Sequence, residues 1–225
     1  MRISHKHKFV FFSKPKSAST SIRVFLNNYS DIKHSEFKNI KNIKSPSNPF
    51  YCHIPPCEVE EWFGKKGWNL DQYNCFTTVR NPYSRIVSVY KYATESNYMK
   101  KDWNSLYLVL KDYTFENFVK NIIIKKDFKN HPDVKWLYYS LNDHFTFIEG
   151  LQSPNLNIKT FKIEDGVDNI TKYLKEINIP INSSLVQNQN ISTNKKPYQD
   201  YYNNELKELM EDHYKKEIEY FNYKF

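Results

Sequence analysis

The sequence predicts one α/β domain spanning residues 1–225, with a central, mainly parallel sheet flanked by helices. Three observations lead to this. Two short apolar runs, residues 9–12 and 75–79, each pass through a polar loop into a stretch whose apolar residues recur at helical spacing. Further strand-like and helix-like patterns alternate behind them, the order that crossovers in a parallel sheet require. The 225 residues are 40% hydrophobic, enough for one sizeable core, and no repeat or Pro/Gly linker divides them.

Taken in order, Phe9, Val10, Phe11 and Phe12 are bounded by basic and small polar residues, which suits a strand buried on both faces. From Ser19 or Thr20, the spacing of Ile22, Val24, Phe25 and Leu26 predicts a helix ending near Asn27 and Asn28. Residues 29–51 are rich in Lys, Asn and Ser and read as a surface excursion. Pro55 and Pro56 open a helix through Glu58, Val59 and Trp62, with Gly64 placed to end it. The strand at 75–79 leads to Asn81, a good N-cap, and to Pro82 at a first helical position, so a helix is predicted over 83–92. Residues 92–113 carry no readable pattern and are taken as loop. Thr114 is placed to cap a helix carrying Phe115, Phe118, Val119 and Ile122. Residues 145–148 and 158–163 read as short strands, the second leading into a helix over 167–177. A last amphipathic helix is expected from Asn203 to about Phe221, with Leu206, Leu209, Met210, Tyr214 and Ile218 on its apolar face.

The net charge of +8 points to an anionic partner: nucleic acid, an acidic membrane surface or a small polyanion. With only 4 Gly, a loop that holds phosphate has to use other small residues. Cys52, Cys57 and Cys75 are too few, and odd in number, for a disulfide framework. Cys52, His53 and Cys57 lie close together, but no second pair with zinc spacing follows, and no metal is expected. No stretch approaches the roughly 20 apolar residues of a membrane span. The apolar run behind the basic start is too short for a signal-peptide core. The expectation is a soluble, cytoplasmic chain.

Ligands of open α/β sheets sit beyond the carboxyl ends of the strands, and both strand-to-helix loops here suit anions. The first, Lys14-Pro15-Lys16-Ser17-Ala18-Ser19-Thr20-Ser21, brings two cations and four hydroxyl groups to a helix N-terminus. It lacks the glycines and the lysine position of a Walker A loop. The second runs Arg80-Asn81-Pro82-Tyr83-Ser84-Arg85-Ile86-Val87-Ser88. Arg80 has the planar fork that grips phosphate by two hydrogen bonds, and Ser84 and Ser88 share a helix face. Either loop alone is equally compatible with a structural role. Together they call for a ligand with two separated phosphates.

At these loops the chain resembles the sulfotransferases that use 3′-phosphoadenosine 5′-phosphosulfate (PAPS), particularly the carbohydrate sulfotransferases related to heparan sulfate 2-O-sulfotransferase. Their P-K-[ST]-x-[ST]-T-S loop binds the donor's 5′ phosphosulfate, and their R-[ND]-P-x-x-R-x-x-S segment binds its 3′ phosphate. Residues 15–21 and 80–88 match both, in the same order. The likeness extends to His53-Ile54-Pro55, to residues 158–164 and to residues 190–225. It departs in the closing Phe221-Asn222-Tyr223-Lys224-Phe225, where the family has F-G-Y, and in lacking the N-terminal anchor of the family's Golgi members.

The resemblance implies a P-loop-NTPase-like sulfotransferase fold and in-line transfer of a sulfuryl group to an acceptor hydroxyl, on a glycan. Lys16 is then the catalytic cation at the leaving oxygen, with Lys14 a peripheral charge. Ser17, Ala18, Ser19, Thr20 and Ser21 hold the 5′ phosphate, Arg80 and Ser88 the 3′ phosphate, and Ser192 and Lys195 close over the donor. His53 is the expected base, since histidine accepts a proton near neutral pH, with His34 in reserve. Glu58 and Glu61 have no clear counterpart in the family. No metal is needed in this scheme. Two other readings stay open: a nucleotide-dependent phosphotransferase, which would need Mg²⁺, and a basic nucleic-acid-binding module stacking bases on Tyr and Phe.

Overall fold

Phe9, Val10, Phe11 and Phe12 have no solvent exposure, because they form the middle strand of a five-stranded sheet. The structure is a computed structural model that describes residues 1–33, 49–102, 104–128, 134–181 and 196–225. In chain order its elements are β1 (Arg2–Ser4), β2 (Phe9–Phe12), α1 (Ser19–Phe25) with a following 3-10 turn (Leu26–Tyr29), β3 (Ile32–Lys33), α2 (Pro56–Lys65) and β4 (Asn74–Val79). Next come α3 (Pro82–Glu95), α4 (Asn97–Asp102), α5 (Asn104–Leu110), and α6 (Phe115–Asn117) running into a π-helical stretch (Phe118–Ile124). The rest are α7 (Val134–Leu141), α8 (His144–Ile148), β5 (Ile158–Lys162), α9 (Asp168–Glu176), α10 (Asn204–His213) and α11 (Lys215–Tyr220). They group into two compact units, Met1–Val79 with Thr146–Ile191, and Arg80–Phe145 with Ser192–Phe225. None of the helices among the described residues is long and apolar enough to cross a membrane.

The first unit contains the whole described sheet, in the order β3-β1-β2-β4-β5. β2 pairs with β4 and β4 with β5 in parallel, with Phe12 opposite Thr77 and Thr77 opposite Thr160. The fold class is thus α/β, as the alternating pattern predicts. On the other side β1 is antiparallel to both β2 and β3, which makes the sheet mixed. Neither β1 nor β3 is legible in the sequence: β1 has a single apolar residue and β3 is two residues long. The core under the sheet joins Phe9, Phe11, Phe76 and Phe161 to Ile22, Phe25 and Leu26 of the α1 segment and to Ile170 and Leu174 of α9. Burying such side chains contributes about 1.5–3 kcal/mol each.

The α2 helix outlasts its predicted stop. Gly64 lies inside it, and Gly67, at φ 68°, makes the turn instead. Trp68 N–H donates to Phe63 O (2.8 Å) and Gly67 N–H to Gly64 O (3.1 Å), the paired bonds of a Schellman end, with the Phe63 and Trp68 rings in contact. The excursion at 29–51 also needs correction at its end, since Phe50 and Tyr51 are buried. Residues 34–48, including the reserve base His34, lie outside the described residues.

In the second unit Asn81 caps α3 as predicted, its Oδ1 accepting from Tyr83 N–H at 3.1 Å. Thr114 caps α6 through Asn117 N–H. Most of the described residues of 92–113 are helical rather than loop, through the end of α3 and then α4 and α5. The predicted final helix is broken at Tyr214, which joins α10 to α11 with φ −108° and ψ 19°. Burial explains the break: the Tyr214 hydroxyl donates to Leu141 O (2.5 Å) and its ring lies under the Arg85 guanidinium. Residues 145–148, expected as a strand, belong to α8. Four residues cannot show whether their period is 2 or 3.6, and a helical turn satisfies its own backbone without a neighbouring strand.

Candidate active site

The loop between β2 and α1 does without glycine by placing ordinary residues in left-handed conformations. Lys16 has φ 60° and Ala18 φ 56°. Each such residue costs roughly 1–2 kcal/mol, and strain of this kind collects at functional sites. Left-handed residues set among right-handed ones turn successive N–H groups toward one concavity, which suits an anion. The first helical bond of α1 runs from Ile22 N–H to Ala18 O, so the amides of Ser19, Thr20 and Ser21 fall in the first turn, ahead of that bond.

Side chains pin this loop from below. Ser17 Oγ donates to Lys14 O (2.9 Å), Thr78 Oγ1 donates to Ser17 O (2.7 Å), and Thr77 Oγ1 donates to Phe12 O (2.7 Å). The Ser17 hydroxyl is fully buried and its proton is already engaged, so what Ser17 offers a ligand is main chain. Lys14, expected as a peripheral charge, has no solvent exposure; the loop folds back so that Lys16, not Lys14, is partly exposed. Thr20 is partly exposed, Ser19 and Ser21 are buried, and Ala18 is open to solvent.

His53 reaches the same loop from the segment before α2. Its Nδ1 lies 2.6 Å from Ser13 O. A carbonyl oxygen can only accept, so Nδ1 carries the proton and donates, which leaves Nε2 as the basic nitrogen. Nε2 faces Cys52 Sγ at 3.5 Å. Burial holds the ring's pKa well below its ordinary 6.5; the Arg23 guanidinium acts in the same direction, the Ser13 carbonyl opposes, and the Met1 α-amino group and Lys16 add smaller depressions. The chain therefore brings Lys16, Ser13 and His53 together, with the imidazole neutral and in the tautomer a general base needs. Arg23, which the sequence reading does not single out, joins them. Its Nη2 donates to Thr20 Oγ1 at 3.0 Å.

In the second unit, Arg80 is the first residue after β4. Arg80 Nε donates to Ser84 Oγ (2.9 Å), which donates on to Asn81 O (3.1 Å). Ser88, partly exposed, stands one turn further along the same face of α3. Asn81 Nδ2 donates to Lys224 O (2.7 Å), and the Tyr202 hydroxyl donates to Tyr83 O (2.9 Å). The tail thus braces the turn that carries Arg80. Arg85 differs from Arg80 in kind: it is buried and bonded to Glu217, Asn142 O and Ser140 O. Ser192 and Lys195 lie outside the described residues. Glu58 accepts from the Tyr51 hydroxyl, and Glu61 pairs with Lys65 at the surface. Among the described residues no three His, Cys, Asp or Glu side chains converge as metal ligands do.

Comparison with protein families gives a match to the model described as the sulfotransferase family, over residues 1–224. The chain belongs to the sulfotransferase family. Comparison with curated proteins and with solved structures gave no match. In this sulfotransferase the family match covers both strand-to-helix loops, His53, the sheet and the C-terminal helices.

Proposed function

We propose that this sulfotransferase takes its sulfuryl group from PAPS and transfers it to a carbohydrate hydroxyl, in the manner of the heparan sulfate 2-O-sulfotransferase-like group, with residues 1–225 as one catalytic domain. What supports this reading is that one chain carries both motifs, residues 15–21 and 80–88, each suited by its own residues to one phosphate end of a bisphosphorylated donor. Lys16, Ser17, Ala18, Ser19, Thr20 and Ser21 hold the 5′ phosphosulfate. Arg80 and Ser88 hold the 3′ phosphate, and Ser192 and Lys195 complete the donor's enclosure.

In the transfer step His53 Nε2 takes the proton of the acceptor hydroxyl as its oxygen bonds to sulfur. The bond from sulfur to the donor's phosphate oxygen breaks, and adenosine 3′,5′-bisphosphate leaves with that electron pair. Lys16 stabilises the charge that builds on the leaving oxygen. No step in this scheme calls on a metal. The surplus of positive charge, +8, favours an acidic glycan as acceptor.

The test is thermal stabilisation by adenosine 3′,5′-bisphosphate compared with ATP, followed by transfer of labelled sulfate from PAPS to a glycan panel. Stabilisation by the bisphosphate and not by ATP is expected. Equal stabilisation by ATP with a Mg²⁺ requirement would favour the phosphotransferase reading. Arg80→Ala should weaken bisphosphate binding by about ten- to a hundredfold, since a hydrogen bond to a charged group is worth roughly 1.5–3 kcal/mol. Unchanged affinity would remove Arg80 from the 3′-phosphate role.

The depressed His53 pKa makes a separate prediction. A ring whose pKa lies below 6.5 stays neutral as pH falls through that value, so the acid limb of kcat/KM should lie below the ordinary histidine range. The unfolded chain takes up that proton near 6.5 while the native ring refuses it. Stability from this group is therefore full above 6.5 and declines as pH falls below it. His53→Ala should remove the acid limb and lower turnover while sparing bisphosphate binding. A variant with normal turnover and an unchanged limb would hand the base role to another group.

A further inference from the structure

Arg23 stands one turn beyond Thr20 on α1, and helical side chains lean toward the N-terminus. The lean carries its guanidinium back to the loop, where Nη2 meets Thr20 Oγ1 at 3.0 Å. Arginine has donors only. Thr20 Oγ1 is therefore the acceptor in this bond, and the single Thr20 hydroxyl proton is left to be given elsewhere.

The rest of the guanidinium is held at a loss to the fold. Arg23 is only 8% exposed, and its Nη1 is buried with no hydrogen-bond partner among the described residues. It makes no ion pair with a carboxylate among the described residues. Burial, and then the charge of Arg2, push its pKa down to about 10. Arg2 meanwhile spends its own donors on Arg23 O, Asn27 Oδ1 and Met1 O. An unsatisfied buried donor costs about 1–3 kcal/mol, more when charged. Apolar replacements of buried charges are often neutral or stabilising. Stability of the fold does not account for this residue.

We propose that Arg23 is a positioning residue for sulfuryl transfer: it occupies Thr20 Oγ1 as an acceptor, so that the Thr20 proton is presented to a phosphosulfate oxygen, and it keeps a fixed cation beside His53. The proposal rests on the donor reading given above. His53 contacts the Ser13 carbonyl and Cys52 Sγ, and the cations whose charge acts on its ring are Arg23 from α1, the Met1 α-amino group and Lys16 from the loop. Arg23 is the strongest of the three cations acting on the ring.

The test needs no acceptor. PAPS binding is measured by calorimetry on the full chain and on R23Q, R23K, T20V and the R23Q/T20V double variant, with melting temperatures and an NMR titration of the His53 ring. R23Q and T20V should each weaken PAPS by about tenfold, the scale of one charge-assisted hydrogen bond. The double variant should bind no more weakly than either single one, because the two residues act as one unit. R23Q should melt no lower than the parent, its His53 should titrate at higher pH, and R23K should move that titration back. Parent-like PAPS affinity in R23Q with an unmoved His53 titration would overturn the proposal, as would full additivity with T20V. If the parent chain itself binds neither PAPS nor the bisphosphate, the donor reading falls instead, and an unmoved titration in R23Q would then dispose of the Arg23–His53 link on its own.

Discussion

Lys16→Ala is expected to reduce sulfuryl transfer about a hundred- to thousandfold, the usual effect of removing one preorganised electrostatic contact to developing charge. The reason lies in where the lysine stands. Its backbone is left-handed at φ 60°, inside a loop pinned through Ser17 and Thr78, so its position does not depend on the ligand. A fixed cation needs no reorganisation when charge appears on the leaving oxygen. The loss should fall on kcat more than on affinity for adenosine 3′,5′-bisphosphate, since that charge develops in the transition state. Lys16→Gly is the control. Glycine relieves the backbone strain but removes the charge, so it should be as impaired as alanine. Parent-like turnover in Lys16→Ala would end the mechanism proposed above. Activity retained only in the glycine variant would mean that the loop's conformation, not the charge, is what matters.

Glu217→Ala should cost about 3–5 kcal/mol of stability, the range for breaking a buried ion pair by removing one partner. Both side chains of the Arg85–Glu217 pair have no solvent exposure, and the Nη2–Oε2 distance is 2.7 Å. The same guanidinium donates to Asn142 O (2.6 Å) and Ser140 O (3.3 Å) and covers the Tyr214 ring, tying α3 to the end of α7 and to the α10–α11 junction. Its Nε already lacks a partner among the described residues, so the deletion would leave a still more poorly satisfied buried cation. Against a typical total of about 5–15 kcal/mol for a domain, this is a large fraction. Urea unfolding reads it directly. A loss under about 1 kcal/mol would show that the pair is not holding these helices. Replacing both partners with methionine should recover part of the loss, because desolvation of the charges is then no longer required.

Much of the fold is legible because it depends on neighbours in the chain. Phe9 to Phe12 can only be a fully buried strand, and Asn81-Pro82 can hardly avoid starting a helix, since the cap and the fixed proline φ act within one turn. The misreadings have a common cause as well. Residues 145–148 are too few to reveal a period, and β1 is a strand because the apolar β2 lies beside it, and β3 because β1 does, not because of their own residues. The helices within 92–113 show no obvious stripe, since α4 and α5 are short and much of their surface is exposed.

The two strand-to-helix loops follow the same division. By itself the sequence settled that there are two of them, that one is rich in hydroxyl groups and cations, and that the other pairs an arginine with a capped helix start. Those properties are composition and local order. Only the tertiary structure decided how the residues are used. Lys16 and Ala18 supply the turns that glycine would have made. The tautomer of His53 is set by Ser13, 40 positions away, and its neutrality by burial and by Arg23. Two arginines five residues apart part company because Glu217, 132 positions from Arg85, takes one of them into the interior. Ionisation, tautomer and solvent access depend on what surrounds a group, and those surroundings are supplied by residues that meet only when the chain has folded.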